Sequence, residues 1–146
     1  MARLCKFATA KGRTALFLAI LLAAVSGGCG RSEKDFRPAV ADARTALEAA
    51  LDAWKSGAAQ NEPIKPAGKP GMVVQLFDSD FTAGKKLVNW TIESGEMPAE
   101  GPSQFKVKLE LVPGKPPVEA TFYVTGISQN YSIFRDRDYQ QRAGQM

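Results

Sequence analysis

The side chains that most often carry acid–base chemistry and bind metals are scarce in this sequence. The chain has 146 residues, no histidine and two cysteines. Nucleophile pairs and metal sites that need an imidazole are therefore excluded, and two cysteines cannot form a four-thiolate site. Carboxylate, tyrosine, lysine and serine chemistry is what remains. The sequence predicts no cofactor and no metal, and it favours a protein that is not an enzyme.

A pair of aspartates, Asp78 and Asp80, is the arrangement nearest to a metal loop. A calcium loop of the EF-hand type needs glycine at its sixth position and glutamate at its twelfth, but counting from Asp78 places Ala83 and Asn89 there. The pattern instead favours a tight turn, in which both aspartates accept backbone N–H groups and Gly84 adopts a positive φ.

Alternating charges follow the last predicted strand, at Arg135, Asp136, Arg137 and Asp138. Charge of this kind commonly protects the end of an edge strand from pairing with another chain. We therefore predict that these four side chains are solvated. Residues 139–146 have little to bury, and we expect them to form a flexible tail.

The N-terminal region is typical of an export signal. Four basic residues precede an uncharged run at 14–25, and small residues then lead to Cys29. This ending resembles the lipobox of bacterial lipoproteins, in which the cysteine is acylated and becomes the first mature residue. Ser26 stands where leucine is usual in that motif, so an ordinary secretory cleavage nearby is the alternative. The sequence predicts a signal peptide at 1–28, a polar tether at 29–35 and a lipid anchor on Cys29 in the cell membrane or the outer membrane.

Removal of the signal changes the net charge. The full chain carries 19 lysines and arginines against 15 acidic residues. The four basic residues of the signal account for the whole excess, so the mature chain is formally neutral. Binding to a nucleic-acid backbone needs a basic patch, whereas the mature sequence mixes its charges. We therefore do not expect nucleic acid as a partner.

A helix is the clearest element of the sequence. Apolar residues recur every three or four positions, which places them on one helical face. Asp35 is positioned to cap the start of this helix, and Gly57 to end it. The apolar face consists of Phe36, Val40, Ala43, Leu47, Leu51 and Trp54.

The periodicity changes to two after a loop rich in proline and glycine at 57–71. Such alternation gives each strand one solvated face, which is typical of an antiparallel meander. Tyr123 points outward in this alternation, whereas Tyr131 can be assigned to either face. The pattern predicts strands at 72–77, 87–93, 105–112, 118–125 and 127–135.

One amphipathic helix followed by four or five strands predicts an α+β fold. The helix would bury its apolar face against a curled antiparallel sheet, as in the cystatin-like and NTF2-like rolls. The cystatin-like version is favoured because a single helix precedes the strands. We place this domain at 36–138.

Several segments resemble small exported proteins of planctomycete-type bacteria. They are LEAALDAWKSG at 47–57, DSDFTAGKKL at 78–87 with Trp90 after it, and FRDRDY at 134–139. The resemblance covers about residues 40 to 139. It implies the same order of signal, helix, proline-rich linker, turn and strands, together with export, but no particular activity.

The function that the sequence favours is a non-catalytic binding or scaffold module. Such a module would hold an envelope protein or peptide at the open end of the roll or at a sheet edge. The sequence is also compatible with a homodimer that forms through the sheet. The candidate binding residues are Trp54, Trp90 and Tyr131, although an aromatic residue that closes an apolar stripe is more often part of the core.

Two other classes of function remain open. One is a small-molecule binder or enzyme, since isomerases of the NTF2-like kind use an aspartate base and a tyrosine donor. The acids and phenols available for that chemistry are Asp80, Tyr123, Tyr131 and Asp136. The other is a purely structural component of the envelope.

Overall fold

The fold consists of a long helix where the hydrophobic residues recur every three or four positions, followed by strands where they alternate. A computed structural model describes residues 37–60, 62–99 and 101–144. The predicted signal peptide, Cys29, the tether, Asp35 and Phe36 lie outside these ranges. The elements in order are α1 (Val40–Ser56), β1 (Val73–Phe77), α2 (Ser79–Thr82), β2 (Asn89–Glu96), β3 (Ser103–Glu110), β4 (Val118–Ile127), β5 (Asn130–Arg135) and α3 (Asp136–Ala143).

The predicted amphipathic helix is present as α1. Gly57 follows its last residue with a φ of 82°, a left-handed conformation that glycine adopts without steric cost, so the predicted end is confirmed. The start differs from the prediction, because the residue that caps α1 is Ala39 and not Asp35. Pro38 explains the later start, since the residue before a proline is disfavoured in helical conformation. The buried residues of α1 are Ala43, Ala46, Leu47, Ala50, Leu51 and Trp54.

The strands form one curled, five-stranded sheet in the order β1-β5-β4-β3-β2. The four strands from β2 to β5 pair antiparallel as predicted, but β1 pairs parallel with β5, with Val73 opposite Asn130 and Phe77 opposite Phe134. The prediction of a purely antiparallel sheet was therefore wrong. Alternation along one strand shows which of its faces is buried, but not which strand lies beside it or in which direction.

The hydrophobic core lies between α1 and one face of the sheet, which we call the inner face. Alternate side chains of the strands point into it, so the predicted packing of helix on sheet is confirmed. The core residues that the sheet contributes are Val74, Leu76, Phe105, Val107, Leu109, Phe122, Val124, Tyr131 and Ile133.

The position of β5 inside the sheet corrects a second expectation. The charged residues from Arg135 onward do not end an edge strand, because β1 and β2 are the edges. Part of β1 is covered in turn, since Ile64 and Val74 exchange two backbone hydrogen bonds of 2.8 and 2.9 Å. Within the described ranges, β2 has a paired strand on one side only.

Residues 136–143, which the sequence assigns partly to the end of the domain and partly to a flexible tail, form α3 instead. None of its residues is buried, so its sequence has no apolar stripe from which a helix could be predicted. α3 lies on the outer face of the sheet, where the ring of Tyr139 stacks on that of Tyr123 with centroids 4.4 Å apart.

The two ends of the sheet differ in what they carry. At one end, which we call the entry end, the described chain begins, and Arg37 donates from Nη1 to the backbone oxygen of Ala99. α1, β1 and β5 run from there to the opposite end, which we call the network end, where Trp54 and Arg135 lie. No helix in the described part of the chain is long and apolar enough to span a membrane.

Candidate functional site

The turn between β1 and β2 is built around the carboxylate of Asp78. Its Oδ1 accepts hydrogen bonds from the backbone N–H groups of Asp80 (2.7 Å) and Phe81 (3.0 Å), which caps α2. Gly84 follows with a φ of 75°. The predicted turn is therefore confirmed for Asp78 and Gly84.

Asp80 has a different role from the one predicted, because its carboxylate binds cations and not backbone N–H groups. Its Oδ1 lies 2.6 Å from Lys85 Nζ. Its Oδ2 lies 2.5 Å from Arg135 Nη1 and 2.7 Å from Arg137 Nη2. We call Asp78, Asp80, Lys85, Arg135 and Arg137 the ionic network.

Burial distinguishes this network from an ordinary surface ion pair. Asp78 is 1% exposed, Asp80 is 7% exposed and Arg135 is 6% exposed. The prediction that Arg135 is solvated was therefore wrong. Arg135 points to the inner face, where a charged side chain is tolerated only if it is paired.

The pKa values of the two aspartates of the network are shifted in opposite directions. Burial raises the pKa of Asp80, but the hydrogen bonds from Lys85, Arg137 and Arg135 outweigh it and lower the pKa to about 2. Burial dominates at Asp78 and raises its pKa, although its backbone hydrogen bonds and Arg135 oppose the shift. The Oδ2 atom of Asp78 accepts no hydrogen bond and lies 3.6 Å from Arg135 Nη1.

Trp54 connects the network to the end of α1. Its indole Nε1 donates a 2.7 Å hydrogen bond to the backbone oxygen of Lys85. Its ring also packs against Phe81, with centroids 5.7 Å apart. Since Trp54 is 2% exposed, it acts as a core residue that fixes the turn to the helix.

α3 connects the network to the outer face. Asp138 Oδ2 accepts a 3.1 Å hydrogen bond from the backbone N–H of Ser79. Arg142 lies over the stacked rings of Phe77 and Phe134, with its guanidinium carbon 4.6 and 5.3 Å from their centroids. Asp138, which was predicted to be solvated, and Arg142, which lies in the predicted flexible tail, therefore both make specific contacts within the domain.

The three predicted binding residues do not form one site. Trp54 and Trp90 lie at the network end, and the half-buried Trp90 donates from Nε1 to Asp52 Oδ1 at 3.2 Å. Tyr131 lies at the start of β5 on the inner face, where burial raises the pKa of its hydroxyl. Each of the three side chains packs within the domain, so none defines a pocket with the others.

The four residues considered for isomerase chemistry do not come together in one site. Tyr123 and Asp136 meet on the outer face, where the Tyr123 hydroxyl donates to Asp136 Oδ1 at 3.3 Å. Tyr123 thus points outward as predicted, and burial raises its pKa. The carboxylate of Asp80 is paired with Lys85, Arg135 and Arg137. Tyr131 lies at the start of β5, toward the entry end. An aspartate base and a tyrosine donor therefore do not face a common cavity.

Shallow grooves open around the network end. One is lined by Trp54, Gln60, Lys85 and Lys86. Another lies between α2 and α3, and a third lies beside Arg137, Lys106 and Glu119. Among the described residues, no group of three or more acidic or cysteine side chains is placed to hold a metal ion. The charged side chains that line the grooves, among them Lys86, Arg137 and Glu119, suit them to contact a polar surface.

Sequence reasoning missed the pairing of Asp80 with Arg135, which are 55 residues apart. The available signal was the period of two itself, which places Ile133 and Arg135 on the same face. A charge on the buried face of a strand requires a partner. Comparison with known proteins adds nothing to this assignment, because no family model and no curated protein matches the chain.

Proposed function

We propose that this protein is a lipid-anchored component of the bacterial cell envelope that binds an envelope protein or peptide without catalysis. The anchor is acylated Cys29, and the mature chain begins there. The lipobox-like ending of the signal and the resemblance to exported proteins of planctomycete-type bacteria support this localisation. The cystatin-like or NTF2-like roll is part of the proposal, supported by α1 lying across a curled sheet.

One observation carries the binding role, namely that the chain enters the domain at one end while grooves open at the other. Arg37 marks the entry end. The groove lined by Trp54 and Lys86 lies at the network end, beyond the C-terminus of α1. A domain held to a membrane at its entry end leaves the network end free to meet a partner.

The engagement of Asp80 favours binding over catalysis. A general base needs a free carboxylate oxygen and a pKa near the working pH. Both oxygens of Asp80 are in ion pairs, and its pKa is about 2. The isomerase-type alternative has correspondingly less support.

The anchor is tested by comparing wild type with Cys29→Ser. Wild-type protein should float with membranes and carry the mass of acyl chains on its mature N-terminal residue. The variant should be soluble or accumulate with its signal attached. Ser26→Ala is the matched control, because it keeps a small residue before the cysteine and should be processed normally. Soluble wild-type protein cut at another residue would contradict the anchor.

The binding role is tested by placing a photo-crosslinking residue at Lys86 or at Lys65 in intact cells. Both positions are exposed, but Lys86 lies at the network end and Lys65 beside the entry end. We expect a discrete adduct of defined mass from position 86 and none from position 65. Equal adducts from both positions, or none from either, would contradict a partner-binding network end.

A further inference from the structure

The entry end carries an exposed apolar residue beside the point where the chain enters. Met97 precedes Ala99, the residue whose backbone oxygen accepts a 2.7 Å hydrogen bond from Arg37. Met97 is 53% exposed and is the most exposed large hydrophobic residue in the described part of the chain. Pro98 follows Met97 directly and Pro102 lies five positions beyond Met97, so two prolines restrict the backbone of this rim beside the exposed methionine.

We infer that this rim, formed by Met97, Pro98 and Pro102, is a lipid-contact surface that rests on the membrane to which Cys29 is anchored. The inference rests on the proposed lipid anchor and adds the orientation of the domain. Met97 inserts among the lipid headgroups, and the network end faces away from the bilayer.

The length of the tether supports this orientation. Cys29 and Arg37 are eight residues apart, and a fully extended chain spans at most about 3.5 Å per residue, or about 28 Å. The 17 residues of α1, which runs from the entry end to the network end, span about 25 Å. Turning the network end toward the bilayer would require an almost fully extended tether, which carries a high conformational-entropy cost.

Two basic side chains at the entry end can approach an anionic lipid surface. Arg37 and Lys65 are the basic side chains available there, and each basic residue near such a surface contributes about 1 kcal/mol. Lys69 is 3.4 Å from Asp42 and contributes less. Glu96 is an exposed acid on this side and Glu100 follows it in sequence, so the two acids offset the basic residues and the acyl chains remain the main anchor.

Two residues of similar character provide internal controls. Val112 and Val118 are 45% and 44% exposed, close to the exposure of Met97, but they lie at the network end. If exposure of an apolar side chain alone determined lipid contact, all three positions would insert equally. The tether predicts that only position 97 does.

The test uses full-length, acylated protein in vesicles of phosphatidylethanolamine and phosphatidylglycerol. Met97→Cys, Val112→Cys and Val118→Cys are each labelled with a nitroxide, and the acylated Cys29 leaves the introduced cysteine as the labelled thiol. Collision of the nitroxide with oxygen and with a water-soluble nickel complex is then measured by electron paramagnetic resonance. We expect the oxygen-to-nickel ratio at position 97 to be severalfold higher than at positions 112 and 118.

The outcomes separate the orientation from the anchor. Protein that floats with the vesicles but has equal ratios at all three positions would overturn the lipid contact and leave the anchor standing. Protein that does not float would overturn both. The protein with both Cys5→Ser and Cys29→Ser, labelled at position 97 and free of vesicles, should show an aqueous ratio. A low nickel collision rate there would mean that protein and not lipid covers Met97, which also overturns the inference.

Discussion

The carboxylate of Asp80 joins three cationic side chains from two distant parts of the sequence. Lys85 comes from the same turn, whereas Arg135 and Arg137 come from the end of β5 and from α3. These partners differ in exposure, since the side chain of Lys85 is 58% exposed and that of Arg135 is 8% exposed. The energetic importance of Asp80 therefore depends mainly on Arg135.

Replacement of Asp80 by asparagine should destabilise the domain substantially. Asparagine keeps the size of the side chain but removes the charge, which leaves the buried Arg135 with only the more distant carboxylate of Asp78, at 3.6 Å. Breaking a buried pair in this way costs about 3 to 5 kcal/mol. The free energy of unfolding from urea titration measures this cost. Lys85→Met is the matched control and should cost less than about 1 kcal/mol, because that pair is solvated. Equal effects of the two variants would contradict the dominance of Arg135.

The same carboxylate should make stability depend on pH in acid. The pKa of Asp80 is lowered from 3.8 to about 2 in the folded protein, so its ionised form stabilises the fold above the unfolded pKa. That contribution, about 2 kcal/mol, is lost as the pH falls from about 5 to 2. The raised pKa of Asp78 acts in the opposite direction, and it does so at pH values above its ordinary pKa of 3.8.

Comparison with Asp80→Asn isolates the part that belongs to Asp80. The difference in unfolding free energy between wild type and variant should be largest near pH 6 and should shrink toward pH 2. A difference that stays constant across this range would mean that the Asp80 pKa is not lowered.

At the scale of elements, α3 depends on side-chain contacts with the sheet and not on its own helical tendency. It has eight residues, no side-chain cap and no buried residue. Isolated helices of this length are unstable in water. Its second turn is held by Tyr139 on Tyr123 and by Arg142 over Phe77 and Phe134.

The double variant Tyr139→Ala, Arg142→Ala should therefore release α3 while the rest of the domain stays folded. We expect amide hydrogen exchange over residues 139–143 to become at least tenfold faster, with little change in α1 and β3. Gln140→Ala, at an exposed position of the same helix, should leave exchange almost unchanged. Unaltered exchange in the double variant would show that the first turn alone holds the helix.

The elements that could be predicted from sequence are those specified by neighbouring residues. α1 follows from its apolar face and Gly57, and the turn at Asp78 follows from local hydrogen bonding. The parallel placement of β1 beside β5 depends on residues more than fifty positions away. α3 depends likewise on rings from three strands, which no pattern within 136–143 contains. Local patterns thus predict the elements but not their partners.

For the whole molecule, the balance of charge determines which partners are excluded. Residues 29–146 have equal numbers of acidic and basic residues, and several of the basic ones are paired. We expect mature protein to show no binding to a DNA duplex at 50 mM salt in a mobility-shift assay. A Glu93→Lys, Glu119→Lys variant is the positive control, because it creates a basic outer face with Lys106 and Lys108. Salt-sensitive binding by the wild type would contradict the assignment of its basicity to the signal.

The parallel pairing of β1 with β5 also has a consequence for the order of folding. β1 can form early only its bridge to Ile64, because its strand partner is the last of the five strands to be synthesised. The ion pair between Asp80 and Arg135 must likewise wait for β5. Long-range pairing of this kind slows folding, since loop closure precedes any stabilising contact. A chain of this topology therefore cannot complete its sheet until β5 has been made, so a chain cut before Asn130 would leave β1 without its strand partner.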